Sequence, residues 1–333
     1  MPIQLKTQLV DSVQGSIKLL GGTERDLEWK DQLKREGWCV VKGVLSTGKA
    51  KQYEDGAYEF LESFDLGFDR HDRSTWVAER MPYFYKGGLI YAYGSGHEQF
   101  VWDVKQDPAV VNVFAEIWGT DELVVSYDGF NFSLPLPDRP EEDFKAWAHV
   151  DQSPLVTGFH CLQGIVNILP NGPEDGGLMV LKGSSALYKE LWRAFDEHIG
   201  GWNKHDRHDH TPEQIQWLLD HGCEWHKVCA DPGDLLLWDS RTVHYGATPT
   251  STNPRLASYV CYKPARMVTP ELKAKRRLAW DEKKETTHDP ITFTANRREP
   301  PEDHPTFGHL KVKQLQEPRL TALGRKLAGL DDW

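Results

Sequence analysis

The chain has 333 residues, a length compatible with one large domain or two ordinary ones. Hydrophobic residues make up 39% of the sequence and charged residues 27%, which is typical of a globular protein. The longest apolar runs, such as residues 235–238, are far too short to span a bilayer. The formal net charge of -11 argues against a general nucleic-acid binder, because phosphate contacts require an excess of Lys and Arg.

Cysteine usage and the chain ends predict the compartment. The sequence has 5 cysteines without a CxxC pair, so no disulfide framework is expected. Four of them flank or lie in strand-like segments and are predicted to be buried thiols: Cys161, Cys223, Cys229 and Cys261. The N-terminus lacks the apolar stretch of a signal peptide, and the last three residues are not a peroxisomal signal. We therefore expect a cytoplasmic protein.

The first third of the chain, residues 1–120, reads as mainly helical. Apolar residues at helical spacing alternate here with two short β-type segments. The predicted elements are helices over residues 24–37, 49–64 and 108–118 and strands over residues 38–44 and 89–93. Gly119 is expected to end the third helix.

From residue 121 the sequence changes to short β-type segments separated by Pro, Gly and Asn. This pattern favours an antiparallel sandwich or jelly roll over residues 121–265, interrupted by a polar, helix-favouring insert over residues 184–222. A charged helical extension follows over residues 266–333, and its last helix carries a leucine stripe that is expected to pack on the core. We predict a single domain over residues 1–333, mainly β with flanking helices.

Three residues have the chemistry of a metal site. His149 and Asp151 share a face if their segment is a strand, because side chains at i and i+2 project from the same side. His244 follows a Pro-Gly-Asp turn and an apolar strand, and Arg255 opens the next strand-like segment 11 residues later. A buried hydrogen-bonded His–Asp pair is the alternative interpretation of His149 and Asp151.

Two histidines and one carboxylate on one face leave about three positions open on a metal, which is the arrangement of non-haem Fe(II) oxygenases. An arginine nearby suits a dicarboxylate co-substrate, because a guanidinium pairs with a carboxylate through two parallel hydrogen bonds. The combination of His149, Asp151, His244 and Arg255 is therefore the candidate site of the chain.

The same residues, in this order and spacing, resemble the phytanoyl-CoA dioxygenase-like family of Fe(II)- and 2-oxoglutarate-dependent oxygenases. The segments 163–169 and 176–185 are also similar to the middle of that family, and the likeness covers roughly residues 30–265. The chain departs from the family pattern at Lys182, Ser185 and Gly246, of which the last puts one contact to 2-oxoglutarate in doubt. Asp151 disfavours a halogenase, since halogenating relatives carry a small residue at that position.

The resemblance implies a double-stranded β-helix (cupin-like) core and a complete set of site residues. His149, Asp151 and His244 would hold Fe(II), and Arg255 would pair with the C5 carboxylate of 2-oxoglutarate. Gln163 and Asn167 would contact substrate and co-substrate respectively. O2 would then be consumed with release of succinate and CO2. Hydroxylation is the expected outcome, and desaturation or ring formation stay open.

The substrate is expected to be a small organic molecule, such as a secondary metabolite, because the chain has no strongly basic patch for a CoA ester. Trp147 lies two residues before His149 and is the predicted substrate-facing aromatic residue; Trp238 lies on the strand leading to His244. The histidine-rich segment 205–210 is interpreted as a solvated loop or lid. Two other functions stay open, a metal-dependent hydrolase or isomerase and a non-catalytic binding protein. We predict no nucleic-acid or membrane partner.

Overall fold

The computed structural model describes residues 24–137, 146–156, 158–195, 207–296, 301–304, 306 and 316–333. None of the helices in these ranges is long and apolar enough to cross a membrane. The helices are α1 Glu24–Glu36, α2 Thr47–Glu62, α3 Gln99–Lys105, α4 Pro108–Trp118, α5 Tyr188–Ala194, α6 Pro212–Asp220, α7 Pro270–Asp281 and α8 Ala322–Ala328. The strands are β1 Trp38–Val41, β2 Leu89–Ile90, β3 Leu123–Val125, β4 Phe130–Ser133, β5 His149–Val150, β6 Leu162–Asn167, β7 Gly177–Lys182, β8 His208–Asp209, β9 Glu224–Lys227, β10 Leu235–Asp239, β11 His244–Ala247, β12 Arg255–Pro264, β13 Glu285–Thr286 and β14 Ala295–Asn296.

The N-terminal helices follow the prediction closely, because their ends are set by local side-chain chemistry. Ser46 caps α2 by accepting a hydrogen bond from the backbone of Lys49. Asp107 caps α4, Pro108 occupies its first turn, and Gly119 ends it with a left-handed φ of 65°. The strand predicted over residues 89–93 is shorter than expected and ends at Ile90.

Two antiparallel sheets form the centre of the molecule. The larger sheet has the strand order β1-β10-β6-β12-β4-β2, with β3 also paired to β12, and the smaller has the order β8-β5-β11-β7-β9. A small apolar cluster joins their facing sides, with Ile165 and Trp238 from the larger sheet against Leu178 and Val180 from the smaller. The predicted jelly-roll architecture with flanking helices is confirmed.

Side chains of β12 project alternately to the helices on one side of the larger sheet and to the smaller sheet on the other. Tyr262 is fully buried and packs against Phe114 of α4, with ring centroids 4.6 Å apart, on the helix-covered side of the larger sheet. Tyr259 and Arg255 lie on the opposite side of the strand and line the cavity between the sheets. The helices thus cover one face of the sheet and leave the other face for the site.

The insert between β7 and β9 contains α5 and α6, as its composition predicted. Residues 196–206, with part of the histidine-rich segment, lie outside the described residues. The interpretation of the remainder as a solvated loop is wrong, because His208 and Asp209 form β8 and pair with β5. Both ring nitrogens of His210 are buried. The backbone groups on the outer edge of β5, the strand of His149, require hydrogen-bond partners, and β8 supplies them.

The C-terminal extension is less helical than predicted. It begins with α7 but then forms the two-stranded β13–β14 sheet, which the charged composition did not indicate. The leucine stripe on the last helix packs on the main core as expected, with Leu327 fully buried. Two hydrogen bonds fasten this end to the core, from Tyr127 Oη to the carbonyl of Ala328 at 2.5 Å and from Trp333 Nε1 to the carbonyl of Leu123 at 2.9 Å.

The thiols are mostly where the strand pattern predicts them. Cys161, Cys223 and Cys261 are buried, but the prediction that Cys229 is buried is wrong, since its side chain is exposed beyond the end of β9. Cys161 and Cys261 lie with their sulfur atoms 3.2 Å apart as free thiols.

Candidate metal centre and its cavity

Two short strands of the smaller sheet bring the predicted histidines together. His149 in β5 and His244 in β11 are directly opposite each other in the antiparallel register. Their ring centroids are 4.3 Å apart, and both side chains are buried. Directly opposed residues of antiparallel strands project on the same side of the sheet, so the backbone pairing itself places both imidazoles at one point.

Asp151 completes the group from the turn that follows β5. Its backbone amide donates to the carbonyl of Ser240 at 3.1 Å, which fixes the turn. The carboxylate oxygens lie 3.6 Å from His149 Nε2 and 3.2 Å from His244 Nε2. One ligand atom from each of the three residues lies within 4.8 Å of the others. The structure thus brings together the three residues that the sequence singled out as metal ligands.

Backbone carbonyls fix the tautomer of each imidazole. His149 Nδ1 lies 2.8 Å from the carbonyl oxygen of Trp147, and His244 Nδ1 lies 2.9 Å from that of Thr242. Because a carbonyl only accepts hydrogen bonds, each Nδ1 carries a proton, and each Nε2 lies on the side of Asp151. This is the usual support of a histidine that ligates a metal through Nε2.

The protonation states also suit a divalent cation. Burial, together with the smaller influence of the neighbouring His244, lowers the pKa of His149 to about 3, so this imidazole is neutral at pH 7. Burial alone would raise the pKa of Asp151, but its interactions with His288, His149 and His244 hold that pKa well below its ordinary value. Neutral imidazole and ionised carboxylate are the forms in which both residue types bind iron, and the residues therefore fit the metal that the sequence implied.

Gln163 lies at the site, where it bonds to a candidate metal ligand. Its Nε2 donates to Asp151 Oδ2 at 2.8 Å from the neighbouring strand β6. Its Oε1 is buried and has no hydrogen-bond partner among the described residues. The amide therefore orients the carboxylate, which is a supporting role that the sequence analysis did not predict.

Asn167 does not lie at the site, contrary to its predicted contact with the co-substrate. Its Nδ2 donates to the carbonyl oxygens of Leu169, Ala230 and Asp231 at 2.7 to 3.1 Å. It is not among the residues that line the cavity. Asn167 shares a face with Gln163, but it is the last residue of β6, and the loop before β10 covers it there. Its amide closes that loop.

Arg255 is buried at the start of β12 and lines the same cavity as the three candidate ligands. Its Nε has no hydrogen-bond partner among the described residues, which is costly for a buried guanidinium unless a ligand supplies an acceptor. Gly177 makes room for it: a Cβ at that residue would lie 2.8 Å from Arg255 Nε. A dicarboxylate would satisfy this guanidinium, as the sequence predicts.

The cavity has a volume of about 640 Å³ and lies between the two sheets. Trp147 stacks on His149 at a centroid distance of 6.1 Å and an angle of 17°, and Lys86 Nζ lies 4.0 Å from the centre of its ring. Trp238 also lines the cavity, with its ring 5.3 Å from that of His244. Both tryptophans therefore wall the site beside the candidate ligands, which is where the predicted substrate-facing residue Trp147 was expected.

One wall of the cavity comes from residues that the sequence analysis did not identify. The segment around β13 contributes Thr287, His288 and Phe293, and β4 contributes Asn131. The alternation of apolar and threonine residues over 291–294 is typical of a strand and was the available signal. Its placement against the metal group rests on contacts between residues far apart in the chain, which no local pattern reports.

A jelly roll that holds two histidines and a carboxylate on one sheet, with a buried arginine in the same cavity, defines the class of Fe(II)- and 2-oxoglutarate-dependent oxygenases. The comparison with protein families agrees with this class. The family model described as "Phytanoyl-CoA dioxygenase (PhyH)" matches residues 33–257, more than half of the chain. The protein belongs to the phytanoyl-CoA dioxygenase family and is an Fe(II)/2-oxoglutarate-dependent dioxygenase.

Individual relatives support the assignment at different levels. The "Ava biosynthesis cluster protein O" of Aspergillus versicolor is 36% identical over 267 residues, which cover 79% of this chain and 86% of that protein. A putative phytanoyl-CoA dioxygenase of Dictyostelium discoideum is 23% identical, with 68% of this chain and 72% of that protein covered. The crystal structure of EctD from S. alaskensis with 2-oxoglutarate and 5-hydroxyectoine has a TM-score of 0.50 at 13% identity, covers 75% of this chain and 80% of that one, and shows the common fold.

Proposed function

We propose that the protein couples the oxidation of a C–H bond, by hydroxylation, in a small organic molecule to the conversion of 2-oxoglutarate and O2 into succinate and CO2. The observation that carries the proposal is the meeting of three ligand atoms within 4.8 Å in the same cavity as the buried Arg255. A substrate from secondary metabolism is supported by the name of the Aspergillus versicolor relative, which refers to a biosynthesis cluster.

Each residue has a defined task in this proposal. His149, Asp151 and His244 would hold Fe(II), which supplies the oxidation of the C–H bond when 2-oxoglutarate and O2 are present. The carbonyls of Trp147 and Thr242 hold the imidazoles, and Gln163 holds the carboxylate. Arg255 would anchor the carboxylate of 2-oxoglutarate that is remote from the metal. Trp147 and Trp238 exclude water beside the ligands and leave the remaining cavity for substrate.

We propose the whole chain, residues 1–333, as one catalytic domain. The C-terminal extension supports this, because it lines the cavity through β13 and the segment that follows it. Its hydrogen bonds to the core, through Tyr127 and Trp333, add to that support.

The two other functions left open by the sequence are less well supported. A metal-dependent hydrolase or isomerase has no use for a buried arginine that lines the metal cavity and whose Nε has no partner among the described residues. A non-catalytic binding protein does not require three ligand atoms, two of them on imidazoles whose tautomers are fixed by backbone carbonyls.

The test is anaerobic calorimetry of Fe(II) and 2-oxoglutarate binding, followed by measurement of O2-dependent succinate release. The wild-type protein should bind both and release succinate, and His149→Ala and His244→Ala should lose metal binding and succinate release together. His71→Ala is the matched control, because His71 is exposed and does not line the cavity. Succinate release that persists in His149→Ala, or turnover without O2, would contradict the proposal.

A further inference from the structure

One wall of the cavity is built by the segment after β13, which lies beyond the residues matched by the family model. His288 is the histidine of that segment, lines the cavity and is partly exposed. His288 Nε2 is buried and has no hydrogen-bond partner among the described residues. An imidazole nitrogen in this state is costly, and a polar ligand atom would satisfy it.

The neighbouring Asp289 fixes the position of His288. Asp289 is fully buried, and its Oδ2 accepts hydrogen bonds from Lys263 Nζ at 2.5 Å and from His160 Nε2 at 3.1 Å. Its Oδ1 accepts from the backbone amides of Ile291 and Thr292 at 2.8 and 3.2 Å. Four donors therefore hold this carboxylate, one of them from β12, the strand that also carries Arg255. The segment is anchored to the sheet of the site.

Aromatic side chains also line the cavity. Tyr91 and Tyr259 are stacked with ring centroids 6.1 Å apart and an angle of 15° between the planes. Phe293, from the segment that carries His288, also lines the cavity and is buried. Flat aromatic walls favour a flat, apolar ring system, and one polar contact then orients it.

We propose that His288 is a substrate-contacting residue that recognises a hydroxyl or carbonyl group on a ring-containing, otherwise apolar substrate, with Asp289 as its positioning residue. This inference rests on the proposed function, since it assigns the substrate side of the same cavity. Gln163 and Trp147 border the metal side, so a ring held between His288 and the aromatic wall would present a carbon to the metal group. The segment that carries His288 lies outside the family-matched residues, which is where a specificity determinant of this particular chain is expected.

A pair of isosteric probes tests the contact without knowledge of the natural substrate. 2-Naphthol and 2-methylnaphthalene differ only in a hydroxyl against a methyl group, and both are titrated by ligand-observed NMR into the wild-type protein. The same titrations are made with His288→Phe, which keeps the aromatic volume, with His288→Gln, which keeps a hydrogen-bonding group, and with His71→Phe as control. The measured quantity is the ratio of the two affinities, which cancels changes in cavity shape that affect both probes.

The ratio of 2-naphthol to 2-methylnaphthalene affinity should fall about 2- to 12-fold in His288→Phe, the range of one net hydrogen bond. It should be partly restored in His288→Gln and unchanged in His71→Phe. An unchanged ratio in His288→Phe, or no measurable binding of either probe to the wild type, would overturn the inference. Binding of Fe(II) and 2-oxoglutarate to the wild-type protein, measured separately by calorimetry without the probes, tests the proposed function alone, so a failure of the proposed function is distinguished from a failure of this inference.

Discussion

His149 and His244 are opposite residues of one antiparallel pair, and their rings lie 4.3 Å apart. The pair consists of two short strands, so the metal group depends on a register that few backbone hydrogen bonds define. A shift of one residue would turn one imidazole to the other face of the sheet. The neighbouring strands β7 and β8 pair on either side and hold the register.

Replacing Gln163 with Leu should weaken Fe(II) binding about 10- to 100-fold, the usual effect of removing a partner behind a metal ligand. The reason is that the Gln163 amide holds the Asp151 carboxylate through a 2.8 Å hydrogen bond, and Leu leaves this carboxylate free to rotate. Anaerobic calorimetry of Fe(II) binding gives the measurement. Gln216→Leu on the exposed face of α6 is the control, and equal affinities for both variants would show that Gln163 has no such role.

The metal group could be predicted from the sequence because its signals are local. The separation of two residues between His149 and Asp151 predicts a shared side, and the run over residues 235–238 before His244 is apolar. Arg255 could be predicted for the same reason, because it is the first residue of a strand-like segment. The wrong prediction that Asn167 contacts the co-substrate has the same origin. The alternation of side chains along a strand assigns Asn167 to the correct side of β6, but it does not say where along the strand the cavity ends.

The substrate wall could not be predicted from local pattern. His288 reaches the cavity because Asp289 pairs with Lys263, a residue 26 positions earlier in the chain. The charged composition of the extension favoured helices, but contacts with β12 hold the segment around Asp289 in a non-helical conformation. β8 is a similar case, because its pairing with β5 depends on an unpartnered strand edge beside His149 rather than on its own residues.

Arg255→Lys should raise the KM for 2-oxoglutarate about 10- to 100-fold and leave Fe(II) affinity unchanged. A lysine keeps the charge but loses the two parallel hydrogen bonds to a carboxylate, each of which is charge-assisted. The measurement is a 2-oxoglutarate titration of succinate release, together with calorimetry of Fe(II) binding. Arg277→Lys, on the exposed side of α7, serves as the control. A KM equal to that of the wild type would exclude Arg255 as the co-substrate anchor.

Gly177→Ala should weaken 2-oxoglutarate binding through Arg255, because the added Cβ would lie 2.8 Å from Arg255 Nε. It should also destabilise the fold by about 1–3 kcal/mol, since the backbone has a φ of +129° there. Gly43→Ala separates the two effects: its φ is +64° and nothing lies within 4 Å of the added Cβ. Both variants should lower the Tm, and only Gly177→Ala should raise the KM for 2-oxoglutarate. Parallel changes in both variants would mean that Gly177 acts on stability alone.

Asp289→Asn should lower stability at neutral pH by about 3–5 kcal/mol, because it leaves the buried Lys263 without its anion. The expected fall in Tm is on the order of 5–10 °C, measured by calorimetry against Asp281→Asn, an exposed residue of α7. Burial would raise the pKa of the Asp289 carboxyl, but His160 and Lys263 hold it far below its ordinary value. A group with a lowered folded-state pKa contributes stability above the unfolded-state pKa and loses it as the pH falls. The difference in Tm between wild type and Asp289→Asn should therefore be full at pH 7 and shrink below about pH 4. A difference that is absent at pH 7, or that grows in acid, would show that the ion pair does not anchor the wall that carries His288.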